Sequence, residues 1–323
     1  MIQATPDPIQ TPILFFGTSE FAVPALEALL DLRYPVVGVV TNPDEAAGRR
    51  RTLTACRVKI AALKHHLPVF QPERLDPKRF SDQMPRADLY LVAAYGKIIP
   101  KQILAAAPRK ALNIHPSLLP RWRGASPIQY AILKGDTKTG VTIMRMDELL
   151  DHGPIVAQVD SDIDLRKTTY RDLHYELANL GAMLLKETLP RWIRGEITPT
   201  PQDDAQATYC KQLARDDGRI DWSGPAEEIE RMIRAFDPWP GAWTLWPRSA
   251  KIVRVRIVSS QTTSYESSVG GPGYVWQNAQ HPMLVKTGRG SLVIAQLGAE
   301  GKKITDAASF VRGYRNIISS VFI

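Results

Sequence analysis

The first half of the chain alternates short apolar runs with segments whose apolar residues have helical spacing. Ile13–Phe16 is an apolar run that ends at Gly17, which is typical of a buried strand, and Pro24 then opens a segment with leucines on one helix face. Similar patterns predict further strands at 36–40, 69–70, 88–94, 111–113 and 141–146, and helices at 55–65, 127–134 and 169–184. Strands that alternate with helices in this way predict an α/β domain.

A different pattern begins after residue 194. Between 195 and 215 the periodicity is lost and proline and polar residues dominate, so this stretch is a predicted linker. A short helix at 225–235 follows, and then short apolar runs at 253–258, 273–276, 283–286 and 291–296. Short strands at such spacing predict a small β-barrel, of which an OB-like barrel is one form. We therefore expect a flexible tail at 1–12, a first domain at 13–194, a linker at 195–215 and a second domain at 216–323.

Composition argues against several classes of protein. The two cysteines, Cys56 and Cys210, are far apart and lack CxxC spacing, which argues against a zinc site or a disulfide framework and favours a reducing compartment such as the cytoplasm. No apolar run approaches the roughly 20 residues of a membrane-spanning helix. The turn after the first strand has only Gly17 and no GxGxxG motif, which weighs against a nicotinamide enzyme.

The chain is moderately basic, with 41 Lys and Arg against 33 Asp and Glu and a formal net charge of +8. This balance suits a polyanionic partner such as RNA, although a generic basic surface gives the same net charge. Arg49, Arg50 and Arg51 are adjacent in an irregular segment at 41–53, and three guanidiniums suit phosphate contacts. We expect the loop at 41–57 to be mobile without a bound partner. A solvated run of charge explains these arginines equally well.

The stretch Asn113–Ile128 is the strongest candidate for a functional site. Asn113 and His115 lie two residues apart at the end of a predicted strand, so their side chains point to the same side. Polar side chains at the carboxyl end of a strand, followed by a long shaped loop, are where open α/β sheets bind ligands. For these two residues alone, an asparagine that caps a turn and a histidine satisfied in the core are the more common explanation.

Asn113, His115 and Asp151 together suit one kind of chemistry. The chain has no Ser-His-Asp order with a nucleophile elbow, and no cysteine lies near His115 in sequence. An amide beside an imidazole can stabilise a developing oxyanion, and a carboxylate beside the imidazole would orient it. If the three residues converge, the pattern favours acyl transfer in which the substrate itself brings the nucleophile.

A longer motif surrounds these residues. It reads Asn113-x-His115-x-Ser117-Leu118-Leu119-Pro120-x-Trp122-Arg123-Gly124-x-x-Pro127-Ile128, followed by Asp151-x-Gly153. On this motif the chain resembles the tetrahydrofolate-dependent formyltransferases. Supporting segments extend the likeness from about residue 13 to near the end of the chain, at 17–21, 41–44, 93–96, 140–144, 220–222 and 234–240. With this motif, a functional role for Asn113 and His115 becomes the better explanation than a turn cap and a core histidine.

The resemblance implies a reaction and its participants. The family uses 10-formyltetrahydrofolate as co-substrate and no metal, and the members that resemble the whole chain formylate the free α-amine of methionine on initiator tRNA. Asn113 and His115 would stabilise the tetrahedral oxyanion, while Asp151 would hold and polarise His115 and help a proton move through a water. The residues that would line the folate site follow the motif histidine and are Ser117, Leu118, Leu119 and Pro120.

The resemblance also implies an architecture and its partners. A Rossmann-like formyltransferase domain would precede a smaller OB-like barrel that binds tRNA together with Arg49–Arg51. Apart from the resemblance, we expect the chain to act as a monomer. Glu45 stands where the family often has a basic residue that contacts the tRNA. This difference affects the discrimination between tRNAs rather than the formyl-transfer chemistry. Pro116 stands where glycine is common and stiffens the turn before Ser117.

Other functions remain open from the sequence. An enzyme of the same fold that formylates a nucleotide-linked amino sugar shares the Asn-x-His and Ser-Leu-Leu-Pro motifs and the C-terminal barrel. The arginine loop and the segment Ala93–Gly96 favour tRNA over that sugar. A formyltransferase of purine synthesis would normally lack the second domain. A non-catalytic RNA-binding protein would have no use for an intact Asn113, His115 and Asp151.

Overall fold

The structure, a computed structural model, describes residues 10–47, 52–248 and 251–323, and the chain divides into two units. The first unit contains the chain up to Pro127 together with Lys138–Asp162 and His174–Lys211. The second unit contains Ile128–Thr137, Ile163–Leu173 and Gln212–Ile323. In the described ranges, no helix is both long and apolar enough to cross a membrane.

The strands and helices of the first 211 residues follow the alternation of the sequence. The strands are β1 (Ile13–Gly17), β2 (Val36–Val40), β3 (Glu45–Ala47), β4 (Thr52–Thr54), β5 (Val69–Phe70), β6 (Leu89–Ala93), β7 (Ala111–His115), β8 (Arg123–Gly124), β9 (Lys138–Arg145), β10 (Ile155–Asp162) and β11 (Tyr209–Cys210). The helices are α1 (Val23–Asp31), α2 (Arg57–Lys64), α3 (Pro77–Gln83), α4 (Lys101–Ala106), α5 (Pro127–Leu133) and α6 (Tyr170–Ile193).

Within the described residues, seven strands form a mixed sheet in the order β10-β9-β7-β6-β1-β2-β5. β7, β6, β1, β2 and β5 run parallel to one another, whereas β9 is antiparallel to both of its neighbours, β7 and β10. β1 and β6 are buried along their whole length, as expected for parallel strands covered on both faces. The sheet confirms the α/β prediction for the first half of the chain.

The chain order of the strands locates a crevice in this sheet. β1 lies between β2 and β6, so the chain leaves β1 toward one side and later returns to its other side. In open α/β sheets, ligands bind at such a switch point, beside the carboxyl ends of the strands. β7 lies next to β6, and its carboxyl end carries the motif of Asn113 and His115.

The segment at 41–53 is not irregular throughout, contrary to the sequence prediction. β3 and β4 pair in antiparallel fashion, with Glu45 opposite Thr54 and Ala47 opposite Thr52. Two three-residue strands gain their hydrogen bonds only from each other, so local composition gives little sign of them. Arg49, Arg50 and Arg51 lie outside the described residues, and their contacts remain a prediction.

The second unit is built on an antiparallel sheet. Its elements are α7 (Ala226–Phe236), β12 (Ala242–Arg248), β13 (Lys251–Thr263), β14 (Val275–Trp276), β15 (Leu284–Lys286), β16 (Ser291–Ala299), β17 (Thr305–Asp306) and α8 (Ala307–Gly313). The order is β12-β13-β16-β15-β14, with β17 paired to β16, and every ladder is antiparallel. This arrangement is consistent with the predicted small β-barrel.

The sequence prediction missed β12, which forms an edge of this sheet. Its residues alternate between two faces, with Thr244 and Trp246 buried on the inner one. Pro247 near its end argues against a strand in a local pattern, but proline is tolerated on an edge strand. The fully buried Trp246 belongs to the core of this unit together with Ile257 and Leu297.

A buried arginine on α7 organises another part of the second unit. The Arg234 guanidinium donates to both carboxylate oxygens of Glu230 at 2.6 and 2.8 Å. It also donates to the carbonyl oxygens of Thr168 and Leu165 at 2.5 and 2.7 Å. Since a buried guanidinium must have all its donors satisfied, this cluster ties the segment at 163–173 to α7.

Candidate active site

β7 brings Asn113 and His115 to the carboxyl end of the sheet. Asn113 pairs with Val92 of β6 and Met144 of β9, and His115 pairs with Thr142 of β9. The strand therefore continues through His115, two residues beyond its predicted end. His115 is buried and Asn113 is half-buried, and their spacing places both side chains on one side of the sheet.

The loop after β7 is fixed by hydrogen bonds from β9 and β10. The Ser117 hydroxyl donates to the Arg121 carbonyl at 2.6 Å, and the Thr142 hydroxyl donates to the Ser117 carbonyl at 2.6 Å. The Leu119 amide donates to Thr142 Oγ1 at 3.1 Å, and Gln158 Nε2 donates to the Leu119 carbonyl at 2.8 Å. One bond within the loop and three bonds to the neighbouring strands β9 and β10 give it one defined shape, as a binding surface requires.

The two ring nitrogens of His115 have different surroundings. Nε2 lies 3.0 Å from the carbonyl oxygen of Trp122, which can only accept, so Nε2 carries a proton and donates it. Nδ1 lies 3.6 Å from Oδ1 of Asp151, which is too long for a hydrogen bond. A neutral imidazole has one proton, so neutral His115 presents a lone pair at Nδ1 and only the imidazolium presents a proton there.

Asp151 is held beside His115 by a backbone amide of the motif. Its Oδ2 accepts from the Gly124 N–H at 2.9 Å, and its side chain is 11% exposed. Gly124 has a φ of 122°, and a Cβ at this position would lie 2.1 Å from the Cys210 carbonyl oxygen. Only glycine fits there, so the motif glycine lets β8 approach β11 and aims an amide at the carboxylate.

The motif arginine is buried and donates hydrogen bonds to side chains of the segment at 202–209. Arg123 is 2% exposed, and its guanidinium donates to Oδ1 of Asp204 at 2.7 Å and to Oε1 of Gln202 at 3.0 and 2.9 Å. Burial lowers the pKa of Arg123, but its hydrogen bonds to Asp204 and Tyr209 and the negative charge of Asp204 together outweigh burial and raise that pKa above its ordinary value. The Arg123 N–H donates to the Thr208 carbonyl at 2.9 Å, so the segment at 202–210 lies against the motif.

His152 joins the Asp151 loop to the same segment. Its Nδ1 lies 2.7 Å from Oδ2 of Asp147, and its Nε2 lies 3.5 Å from Oδ2 of Asp204. The hydrogen bond to Asp147 is the main cause that raises the pKa of His152, and the charges of Asp147 and Asp204 add to it. The carboxylates of Asp147 and Asp204 thus favour the charged form of His152, which follows Asp151 in the chain.

Cys210 packs behind the motif as a buried thiol. The Ser126 amide donates to its Sγ at 3.4 Å, and Sγ donates to the carbonyl oxygens of Arg123 at 3.4 Å and Trp122 at 3.6 Å. Burial raises the pKa of Cys210 to about 11, so the group stays a neutral thiol. The Trp122 carbonyl that accepts from His115 is therefore also supported from behind by Cys210.

The site has the groups for acyl transfer. In the part of the chain that the structure describes, no group of three or more His, Cys, Asp or Glu side chains is placed to hold a metal ion. An imidazole, a carboxylate and an amide surround the carboxyl end of β7 instead. Such groups can stabilise an oxyanion and move a proton.

Comparisons with known proteins agree with this chemistry. The chain matches the formyl transferase family over residues 11–189 and the formyl transferase C-terminal domain over residues 212–315. The chain belongs to the formyl transferase family. A methionyl-tRNA formyltransferase of Chloroflexus aurantiacus is 46% identical over 307 residues, which cover 93% of this chain and 96% of that protein. A methionyl-tRNA formyltransferase from a Roseiflexus species is 47% identical over 307 residues, which cover 94% of this chain and 92% of that protein.

Solved structures support the fold of this formyl transferase. The N-formyltransferase from Helicobacter canadensis, in complex with folinic acid and dTDP-3-aminofucose, matches with a TM-score of 0.64. The match covers 90% of this chain and 100% of that chain, at 20% sequence identity. At that identity the likeness concerns the fold alone.

The structure brings together part of the set that the sequence predicts for this formyl transferase. His115 and Asp151 face each other, and Asn113 shares the end of β7 with His115. Ser117 and Leu119 are buried, and the Ser117 hydroxyl is used within the loop, whereas Leu118 and Pro120 are half-buried. The roles of these residues in the reaction stay predictions.

Several residues at the site of this formyl transferase escaped the sequence analysis. Gln202, Asp204 and Cys210 come from the segment at 195–215, where the loss of periodicity predicts a linker. His152 lies inside the Asp151-x-Gly153 motif, at its variable position. The cluster of polar residues after Pro201 carried no recognisable spacing, so only the folded chain shows its contacts.

Proposed function

We propose that this formyl transferase moves the formyl group of 10-formyltetrahydrofolate to the free α-amino group of methionyl initiator tRNA. The observation that carries the proposal is the 46% identity to a methionyl-tRNA formyltransferase along 93% of the chain. The pairing of His115 with Asp151 at the end of β7 supports it, because that pair suits the same reaction. Structural relatives named for sugars share only the fold at 20% identity and carry no argument for a sugar acceptor.

The reaction replaces one carbon–nitrogen bond by another. The amine nitrogen of methionine attacks the formyl carbon, and the electron pair of the carbonyl bond moves to oxygen. The tetrahedral adduct then expels N10 of the folate, which takes up a proton while the amine nitrogen loses one. The protein has to stabilise the oxyanion and accept a proton, and the formyl donor needs no metal to activate it.

We assign the oxyanion to the Asn113 amide and Nδ1 of His115. Nε2 is already used by the Trp122 carbonyl, so Nδ1 is the nitrogen that can reach a substrate. Nδ1 has a proton to donate only in the imidazolium, and Asp151 supplies the compensating negative charge 3.6 Å away. In this role Asp151 holds and polarises His115, and a water beside its carboxylate carries the proton from the amine.

The folate site follows His115 in our proposal and is lined by Ser117, Leu118, Leu119 and Pro120. The half-buried Leu118 and Pro120 would offer apolar surface to the co-substrate. The buried Ser117 and Leu119 would act through the shape of the loop, since Thr142 holds both of their backbones. A rigid apolar surface suits the flat ring of a pterin.

The tRNA would be bound by charge and by the second domain. We propose that Arg49, Arg50 and Arg51 contact phosphates and that residues 216–323 form an OB-like domain that binds tRNA. The proposed domain plan keeps 13–194 as the catalytic domain and 195–215 as the connecting segment. We further propose that the chain works as a monomer in the cytoplasm, where aminoacylated tRNA is available.

A formyl-transfer assay with three acceptors tests the proposal. The protein would be incubated with 10-formyltetrahydrofolate and, separately, with methionyl initiator tRNA, methionyl elongator tRNA and a nucleotide-linked amino sugar. We expect formylation of the initiator tRNA alone. Transfer to the sugar alone would refute the proposal. Equal transfer to both tRNAs would refute the selection of the initiator tRNA but would still support formyl transfer to methionyl-tRNA.

Two substitutions connect this activity to the site. Asn113→Ala and His115→Ala should each lower kcat about 10²- to 10³-fold, the usual effect of losing one oxyanion donor. His65→Ala is the matched control and should leave kcat unchanged, because the half-buried His65 pairs with Glu27 and has no contact with the residues at the end of β7 among the described hydrogen bonds. Normal turnover by either site variant would show that the oxyanion is bound elsewhere.

A further inference from the structure

The half-buried side chain of Gln202 joins two parts of the site. Its Oε1 accepts from Nε and Nη2 of Arg123 at 3.0 and 2.9 Å. Its Nε2 donates to the carbonyl oxygens of Asp151 and Gly153, both at 2.8 Å. One carboxamide therefore connects the motif arginine to the loop that carries the site carboxylate, over 51 residues of sequence.

Only an amide of this length has the required donors and acceptors. The guanidinium of Arg123 offers donors only, and the two loop carbonyls offer acceptors only. A carboxylate in place of Gln202 would satisfy Arg123 but would face the carbonyls of Asp151 and Gly153 with oxygen. A methionine would fill the same space without any of the four hydrogen bonds.

The backbone of Asp151 needs such support. Its φ is 48°, in the left-handed region that non-glycine residues rarely adopt, and this conformation persists only where surrounding contacts fix it. Gln202 binds its carbonyl oxygen, and the Gly124 N–H binds its Oδ2 at 2.9 Å. Arg123 and Gly124 are neighbours on β8, so both supports of Asp151 lead back to the same two-residue strand.

We propose that Gln202 is a positioning residue for formyl transfer, which holds the backbone of Asp151 against the Arg123 guanidinium so that the carboxylate stays beside His115. The inference rests on the proposed function for the reaction that it serves. Gln202 acts through Asp151 and touches neither the ring of His115 nor a reacting atom.

Amide hydrogen exchange at Gly124 reports the position of Asp151 without any substrate. In Gln202→Met, Asp151 should leave the Gly124 N–H and the exchange rate of that amide should rise about tenfold. Gln202→Glu should have the same effect, because it keeps the acceptor for Arg123 and loses both donors. Gln206→Met is the matched control, since Gln206 is exposed on the same segment and donates only to Asp203. Its exchange at Gly124 should equal that of the unmodified protein.

A kinetic cycle shows whether this position matters for the reaction. Gln202→Met should lower kcat about tenfold or more and leave KM for folate and for tRNA within about twofold. In an Asp151→Asn background, Gln202→Met should cause no further loss, because its effect passes through the carboxylate. Equal losses in both backgrounds, or a rise in KM with kcat unchanged, would overturn the positioning role.

The two readouts separate this proposal from the proposed function. Unchanged exchange at Gly124 in Gln202→Met would refute the hold on Asp151, whatever the acceptor assay shows. A lack of transfer to methionyl-tRNA by the unmodified protein would refute the proposed function, and with it the claim that Gln202 serves that reaction. A lower melting temperature of Gln202→Met with unchanged exchange at Gly124 would assign Gln202 a structural role only.

Discussion

The replacement of Asp151 by asparagine separates the charge of this carboxylate from its shape. The Asn side-chain oxygen can accept from the Gly124 N–H as Oδ2 now does at 2.9 Å, which turns the amide nitrogen toward His115. The amide nitrogen would then stand where Oδ1 now lies, 3.6 Å from Nδ1, a contact without a hydrogen bond that the lone pair at Nδ1 of a neutral His115 does not oppose. The variant therefore keeps the contacts of the site and removes one negative charge.

The size of the effect follows from the distance between the two groups. Nδ1 and Oδ1 lie 3.6 Å apart, and the side chains of His115 and Asp151 are 5% and 11% exposed. Two unit charges at this separation attract by about 5 kcal/mol at an effective dielectric constant near 20. If the imidazolium of His115 forms as the oxyanion develops, most of this attraction is lost from the transition state in Asp151→Asn. We expect kcat to fall roughly 10³-fold, since relaxation recovers part of the loss.

Single-turnover formylation of methionyl-tRNA with excess enzyme measures this step directly. KM for both substrates and the melting temperature should stay close to those of the unmodified protein, because the contacts are kept. Asp160→Asn is the matched control, since Asp160 is an exposed carboxylate that pairs with Lys138 in the same unit. A rate for Asp151→Asn within about tenfold of the unmodified protein would refute the role of the charge.

Three further predictions concern the surroundings of the site. Gly124→Ala should destabilise the protein by about 3 kcal/mol in urea unfolding, because φ is 122° and the new Cβ would lie 2.1 Å from a carbonyl oxygen, and a loss under about 0.5 kcal/mol would contradict this packing. His152 has a raised pKa, so its stabilising contribution is fully present below its ordinary pKa of 6.5 and is lost as the pH rises through the higher value. The melting-temperature difference between the unmodified protein and His152→Gln should therefore shrink as the pH rises above 6.5 and through the raised pKa, and a constant difference would disprove the linkage. Burial raises the pKa of the Cys210 thiol to about 11, so iodoacetamide at neutral pH should label it only after unfolding, as peptide mass spectrometry would show, and labelling of the folded protein would contradict its burial.

The sequence was most informative where burial depends on a pattern of apolar and polar residues that lie within a few positions of each other. The run Ile13–Phe16 and the run Val36–Val40 became neighbouring parallel strands, because side chains buried on both faces of a sheet have to be apolar along the whole strand. The two-residue spacing of Asn113 and His115 likewise predicted that both side chains lie on one side of β7, since alternation is a property of any strand.

The sequence was least informative where a residue is held by a distant partner. β3 and β4 are three residues each and depend on pairing with each other, and β12 contains a proline that only an edge position tolerates. Gln202 lies in a stretch without periodicity, and its partners Arg123 and Asp151 are 79 and 51 residues away in the chain. No local pattern encodes such contacts, because their energy depends on how the elements pack.

The sequence by itself determined the α/β alternation of the first half, the short strands of the second half and the residue types of the motif around Asn113 and His115. The periodicity and spacing of residues that are close together in the sequence predict these features. The tertiary structure alone decided that Nε2 of His115 donates to the Trp122 carbonyl and that Nδ1 lies 3.6 Å from Oδ1 of Asp151. It also decided that the segment around Gln202 lies against the motif, because hydrogen bonds between buried groups form only after packing has excluded water from them.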